Sequence, residues 1–128
     1  MTNYSGTASK NLHMKLPIII RAEDLNVEFF YSLVDAQLSM EPIDVNDGLF
    51  TLSDANGREL IAVPKEYKPY EKIEITESGK DKSEELTQLL QKYYQDIGLD
   101  ANILLTMSLA QLVEVGKLFF NKNFQKHK

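Results

Sequence analysis

The first patterned stretch of the chain is "KLPIIIRA", residues 15–22, in which three isoleucines follow Pro17. β-Branched residues suit a pleated surface and a proline is tolerated where a strand begins, so this run predicts a strand. Residues 1–14 before it are rich in Ser, Thr, Asn and Gly without periodicity, and predict a flexible tail. In "LNVEFFYSLVDAQLSM" the pattern changes midway. Val27, Phe29 and Tyr31 alternate with Glu28 and Phe30, which permits a second strand. From Ser32 the spacing is helical: Leu33, Ala36 and Met40 share a face, and Val34 with Leu38 extend it. Ser32 and Asp35 stand at capping-box spacing, and Pro42 drives Glu41 out of helical geometry, so a helix is predicted over about 32–41.

Two strands follow around a turn. "LFTLS" and "RELIAV" flank "DANG", where Gly57 can adopt the positive φ that closes a hairpin and the Asp54 side chain can bond the turn amides. Phe50 and Leu52 alternate with Thr51 and Ser53, giving one buried face. Leu60, Ile61, Ala62 and Val63 are apolar on both faces, which predicts an interior strand, ended by Pro64. In "YKPYEKIEITES" Ile73 and Ile75 alternate with Glu74 and Thr76, as in a strand at a charged edge.

The C-terminal half is helical. Leu86, Leu89, Leu90, Tyr93, Tyr94 and Ile97 form one apolar stripe, with Asp81 and Ser83 as rival caps, Glu84 and Glu85 in the first turn and Gly98 after the end. Ser108 and Gln111 make a capping box for a last helix, with Leu109, Leu112, Val113, Gly116, Phe119 and Phe120 on one face. Gly116 permits a close approach there. "DANILLTM" between these helices fits either a short helix or an extended connector. The chain therefore predicts an α+β single domain over 15–122. A small antiparallel sheet of about three to four strands has a central hairpin at 49–63, and it packs against the helix at about 32–41 and two helices at about 83–97 and 108–121. Residues 123–128 are expected to form a basic tail.

At 128 residues, 43% hydrophobic and 26% charged, the composition is that of an ordinary globule. No cysteine is present, which removes disulfides, thiol nucleophiles and Cys-based zinc sites. The longest apolar runs fall short of a signal-peptide core or a membrane span, so a cytoplasmic protein without a membrane partner is expected. Charge is uneven beneath the net −5: residues 1–22 carry +3, 23–61 carry −8 and 101–128 carry +3. A central acidic block opposes nucleic-acid binding and suits a basic protein partner.

Candidate chemistries divide on spacing. "DVNDG" resembles the start of an EF-hand loop, but Gly48 falls fifth from Asp44 and the twelfth residue is Ala55, where that loop needs Gly sixth and Glu twelfth. The two histidines, His13 and His127, lie in the expected tails and give no oriented base. Neither phosphate-cradling glycine motif occurs. These readings point to no enzyme, no metal and no cofactor.

The segment "MEPIDVNDGLFTLSDANGREL", residues 40–60, resembles a pattern in small bacterial proteins encoded beside polymorphic or contact-dependent toxins. Glu41, Pro42, Ile43, Asp44, Val45, Gly48, Phe50, Asp54, Gly57, Arg58 and Leu60 carry the resemblance. It implies an immunity-type protein that blocks a cognate toxin, and the acidic block implies that Asp35, Glu41, Asp44, Asp47 and Asp54 bind that basic partner. The alternatives are a DNA-binding regulator using the two C-terminal helices, a structural or oligomeric interaction module, and, last, a small carboxylate enzyme.

Overall fold

The computed structural model describes residues 14–126 apart from 25, 68 and 69, with the side chains of 66–71 and 119–126 outside the description. The N-terminal tail through residue 13, His13, His127 and Lys128 therefore lie outside the described residues, as do the side chains of Phe119 and Phe120.

Five antiparallel strands form one open sheet: β1 (Ile18–Arg21), β2 (Val27–Phe30), β3 (Thr51–Ser53), β4 (Arg58–Tyr67) and β5 (Tyr70–Asp81), in the order β2-β1-β3-β4-β5. The α+β class is as expected, with one strand more than the three to four predicted. Both faces of β1 are buried. Ile19 points into one core, with Val27 and Phe29 of β2. Ile18 and Ile20 point into another, with Leu52, Leu60, Ile73 and Ile75. Side chains alternate along a strand, so an unbroken run of isoleucines needs cover on both sides.

That cover comes from two helical layers. The first face carries α3 (Ser83–Asp96), α4 (Ala101–Leu104) and α5 (Leu109–Lys126), which add Leu86, Leu90, Tyr94, Leu104, Leu112 and Val113 to the core. The other carries α1 (Leu33–Leu38) and α2 (Pro42–Asn46), and its core takes in Ala36, Met40 and Met14. Met14, expected at the end of a tail, is thus a core residue.

Several elements depart from expectation. The helix predicted over about 32–41 ends at Leu38. Ser39 already caps that helix, so Pro42 does not stop it; Pro42 instead opens α2 at the first helical position, where a missing N–H costs nothing. Pro64 stands inside β4, opposite Ile73. β3 pairs with β4 only at Leu60 and Glu59, so farther along β4 has one neighbour, and a proline is tolerated there. Ile61 and Val63, expected inside, are exposed, because the α3–α5 layer buries residues of β1 and β2 rather than β4. α5 continues to Lys126, past the predicted end at 121, so residues 123–126 belong to a helix.

The predicted caps are mostly as expected. Ser32 Oγ accepts from Asp35 N at 3.0 Å. Ser108 and Gln111 close a reciprocal box, with Gln111 N donating to Ser108 Oγ at 3.2 Å and Ser108 N to Gln111 Oε1 at 2.8 Å. At α3 Asp81 caps from outside, accepting from Ser83 N at 2.8 Å, and Ser83 is the first helical residue. "DANILLTM" contains a short helix, with Asp100 accepting from Asn102 N.

Gly116 is where α5 meets the rest of its core. A Cβ there would stand 2.5 Å from Phe29 Cζ and 2.6 Å from the Tyr94 hydroxyl. Tyr94 donates to the Leu112 carbonyl at 2.7 Å and is buried. Burial, with Tyr31 and Tyr93 nearby, raises its phenol far above the ordinary value of 10.0. The folded chain therefore keeps this proton after the unfolded chain releases it, so the contribution is whole below about pH 10 and is lost as pH rises further. Tyr94→Phe is expected to lose about 1 kcal/mol at pH 7 from the hydrogen bond. It should also make the decline above pH 10 shallower, as urea unfolding at pH 7 and pH 10.5 would show.

Candidate functional site

The acidic residues singled out in the sequence lie on the α1–α2 layer, with one exception. Asp35 is in the first turn of α1, Glu41 and Asp47 flank α2 as its caps, and Asp44 is in its first turn. Asp35, Glu41 and Asp47 are exposed and Asp44 is half-buried. Asp44 and Asp47 stand three apart, on one side of the helix. The salt bridges among the described residues are Arg58–Glu77, Lys82–Glu85 and Lys92–Asp96, and none engages these four acids. No lysine, arginine or histidine occurs between Arg21 and Arg58, so the layer has no base of its own.

Asp54 does not belong to this surface. It is fully buried, and its carboxylate accepts from three backbone amides: Asn56 N at 2.9 Å, Arg58 N at 3.0 Å and Lys15 N at 3.2 Å. The first two close the "DANG" turn, and the third ties the segment before β1 to it. Ala55 N donates to Lys15 O at 2.8 Å and completes the tie. A buried carboxylate needs such donors, and with them it serves the fold rather than a partner. The turn amides were legible from Asp54 and Gly57, whereas the Lys15 amide, 39 residues away, was not.

The sequence reading also missed the apolar residues of this layer. Val34, Leu38 and Ile43, with Val34 and Leu38 expected on the buried side, are 59%, 79% and 65% exposed. α1 has six residues and α2 five, so each presents only one face to the sheet. Ala36 and Met40 take the core positions. Val34 and Leu38 are four apart on the outer side of α1, as are Ile43 and Asp47 on α2.

Elsewhere the clefts have a different character. One of about 440 Å³ holds Arg58, Glu77, Lys80 and Asp81. Both of its carboxylates already have partners. Glu77 meets Arg58 at 3.4 Å, and the Ser83 backbone N–H, then the Ser83 hydroxyl, hold Asp81 below the usual carboxylate range. A carboxylate so stabilised in its charged form is a poor proton donor at neutral pH. Another cleft, about 490 Å³, lies between Pro17, Tyr31 and the first half of α5. Neither cleft is lined by a residue of α1 or α2. Among the described residues no three His, Asp or Glu side chains gather as metal ligands, and no helix is long and apolar enough to cross a membrane. Tyr94 is core, and Tyr93 packs against that core at the side, their rings 5.8 Å apart.

No protein-family model, curated protein or solved structure matches this chain.

Proposed function

We propose that this is a non-catalytic binding protein that meets a basic protein partner through the α1–α2 layer. The observation that carries the reading is the set of four carboxylates on that layer, Asp35, Glu41, Asp44 and Asp47, with no ion-pair partner among the described residues. Unpaired charges of one sign steer an oppositely charged partner and raise its association rate. The resemblance over residues 40–60 supports a toxin domain as that partner and an immunity-type role, in the cytoplasm, for the protein.

The test is a charge reversal. Asp44→Lys with Asp47→Lys should slow association with a toxin domain encoded beside the gene by about tenfold at low salt, and flatten its salt dependence. Asp47 is exposed and Asp44 is half-buried, neither in the core, so the fold should survive, which circular dichroism would check. An association rate unchanged by the double substitution would rule this surface out.

A further inference from the structure

We propose that the contact core of this surface is apolar: Val34, Leu38 and Ile43 enter an apolar recess on the partner, and the surrounding acids pair with a basic rim on it. The inference rests on the binding role proposed above and specifies the partner's chemistry. Three large aliphatic side chains, each more than half exposed, fall within ten residues of sequence. They sit on two consecutive short helices joined by Ser39, Met40 and Glu41. Single exposed apolar residues are commonplace, but a run of them on one layer marks an interaction face.

Two of the three aliphatic residues have an acid at helical spacing: Asp35 and Leu38 are three apart, and Ile43 and Asp47 four apart. This is the anatomy of a protein interface, with an apolar centre inside a charged rim. The rim also selects the occupant. It carries only negative charge, so a second copy would bring like charges together, whereas a partner rimmed with lysine and arginine would satisfy them. The backbone beneath is fixed. Met40 and Ala36 anchor the layer in the core, and the Ser32 and Pro42 starts set both helices. The side chains thus stand ready before binding, which lowers the ordering cost.

The probes are two fluorescent helical peptides of equal positive charge, one of leucine and lysine with an apolar face, the other with serine in place of every leucine. Peptide anisotropy suits this protein, which has no tryptophan. The wild type should bind the leucine peptide at least tenfold more tightly than the serine peptide. Leu38→Ser and Ile43→Ser, at exposed positions that leave the thermal midpoint unmoved, should cut that preference to less than threefold. Asp44→Lys with Asp47→Lys should weaken both peptides together.

Equal affinity for the two peptides, or a preference that survives both serine variants, overturns the apolar core. If charge reversal still weakens both peptides in that case, the acidic-surface reading stands alone. Charge reversal without effect overturns the acidic reading, and binding of neither peptide overturns both. A wild-type dimer that Leu38→Ser dissociates in sedimentation would show that the face takes a second copy, and would overturn the basic partner.

Discussion

Asp54→Ala is expected to lower the unfolding free energy by about 4 kcal/mol, since each buried donor left without a partner costs roughly 1–3 kcal/mol. Three donors lose their acceptor together: the amides of Asn56, Arg58 and Lys15. Asn56 is exposed, so its amide regains water and falls at the low end of the range. The Lys15 amide connects two parts of the chain 39 residues apart, and its loss loosens the entry into β1. Asp54→Asn separates these roles. Oδ1 serves the turn and Oδ2 serves Lys15. An amide that keeps its oxygen on the turn presents NH₂ to the Lys15 N–H, so the turn is kept and the tie is broken. Asn should therefore cost about half of what Ala costs, on the same per-bond scale. Urea unfolding would read both, with a midpoint for the alanine variant lower by more than about 1 M at a slope of 1–3 kcal/mol per M. A change below about 1 kcal/mol for alanine would mean that these amides find other acceptors.

Gly57→Ala is the second large effect expected, and it has two separable causes. Gly57 has φ +84°, in the region that costs a side-chain-bearing residue about 1–2 kcal/mol. Its Cα also lies against the start of α3. A Cβ would overlap the Ser83 Cα and come within 2.7 Å of its Cβ and 2.8 Å of its N. The partner atoms include backbone held in place by the Lys82 N–H donating to the Gly57 carbonyl at 2.7 Å, so they cannot swing aside as a flexible side chain would. Gly48 is the control. Its φ is +72° and nothing lies within 4 Å of its would-be Cβ, so Gly48→Ala carries the conformational cost alone. We expect about 1 kcal/mol for Gly48→Ala and about 4 kcal/mol for Gly57→Ala, the difference being overpacking. On a chain of this size the second should lower the thermal midpoint by roughly 15 °C. Equal losses at the two glycines would show that α3 can move away from the turn. Asp54 and Gly57 share one turn, so their effects should not add in a double variant.

Much of the frame was legible locally. Three isoleucines in a row specified a strand, and its burial on both faces emerged only with the two helical layers. Ser108 with Gln111, and Ser32 with Asp35, specified helix starts, because a cap needs only residues three apart. "DANG" specified a turn for the same reason. The candidate site was legible in its charge and not in its shape. Asp35, Glu41, Asp44 and Asp47 stand out as acids without a neighbouring base, and that is visible in one dimension. Whether Asp54 joined them depended on Lys15, and whether Val34 and Leu38 faced the core depended on how much of two short helices the sheet could cover.

The sequence by itself determined the fold class, the types of most elements, several helix starts and the acidic character of residues 23–57. These follow from periodicity, capping and composition, which act over a few residues. Tertiary structure alone decided three things: that Pro42 begins a helix rather than ending one, that Asp54 is withdrawn from the surface to hold the β1 entry, and that Val34, Leu38 and Ile43 stand outside among carboxylates. Each depends on which side of an element the sheet occupies or on an amide distant in sequence, and neither is encoded in local spacing.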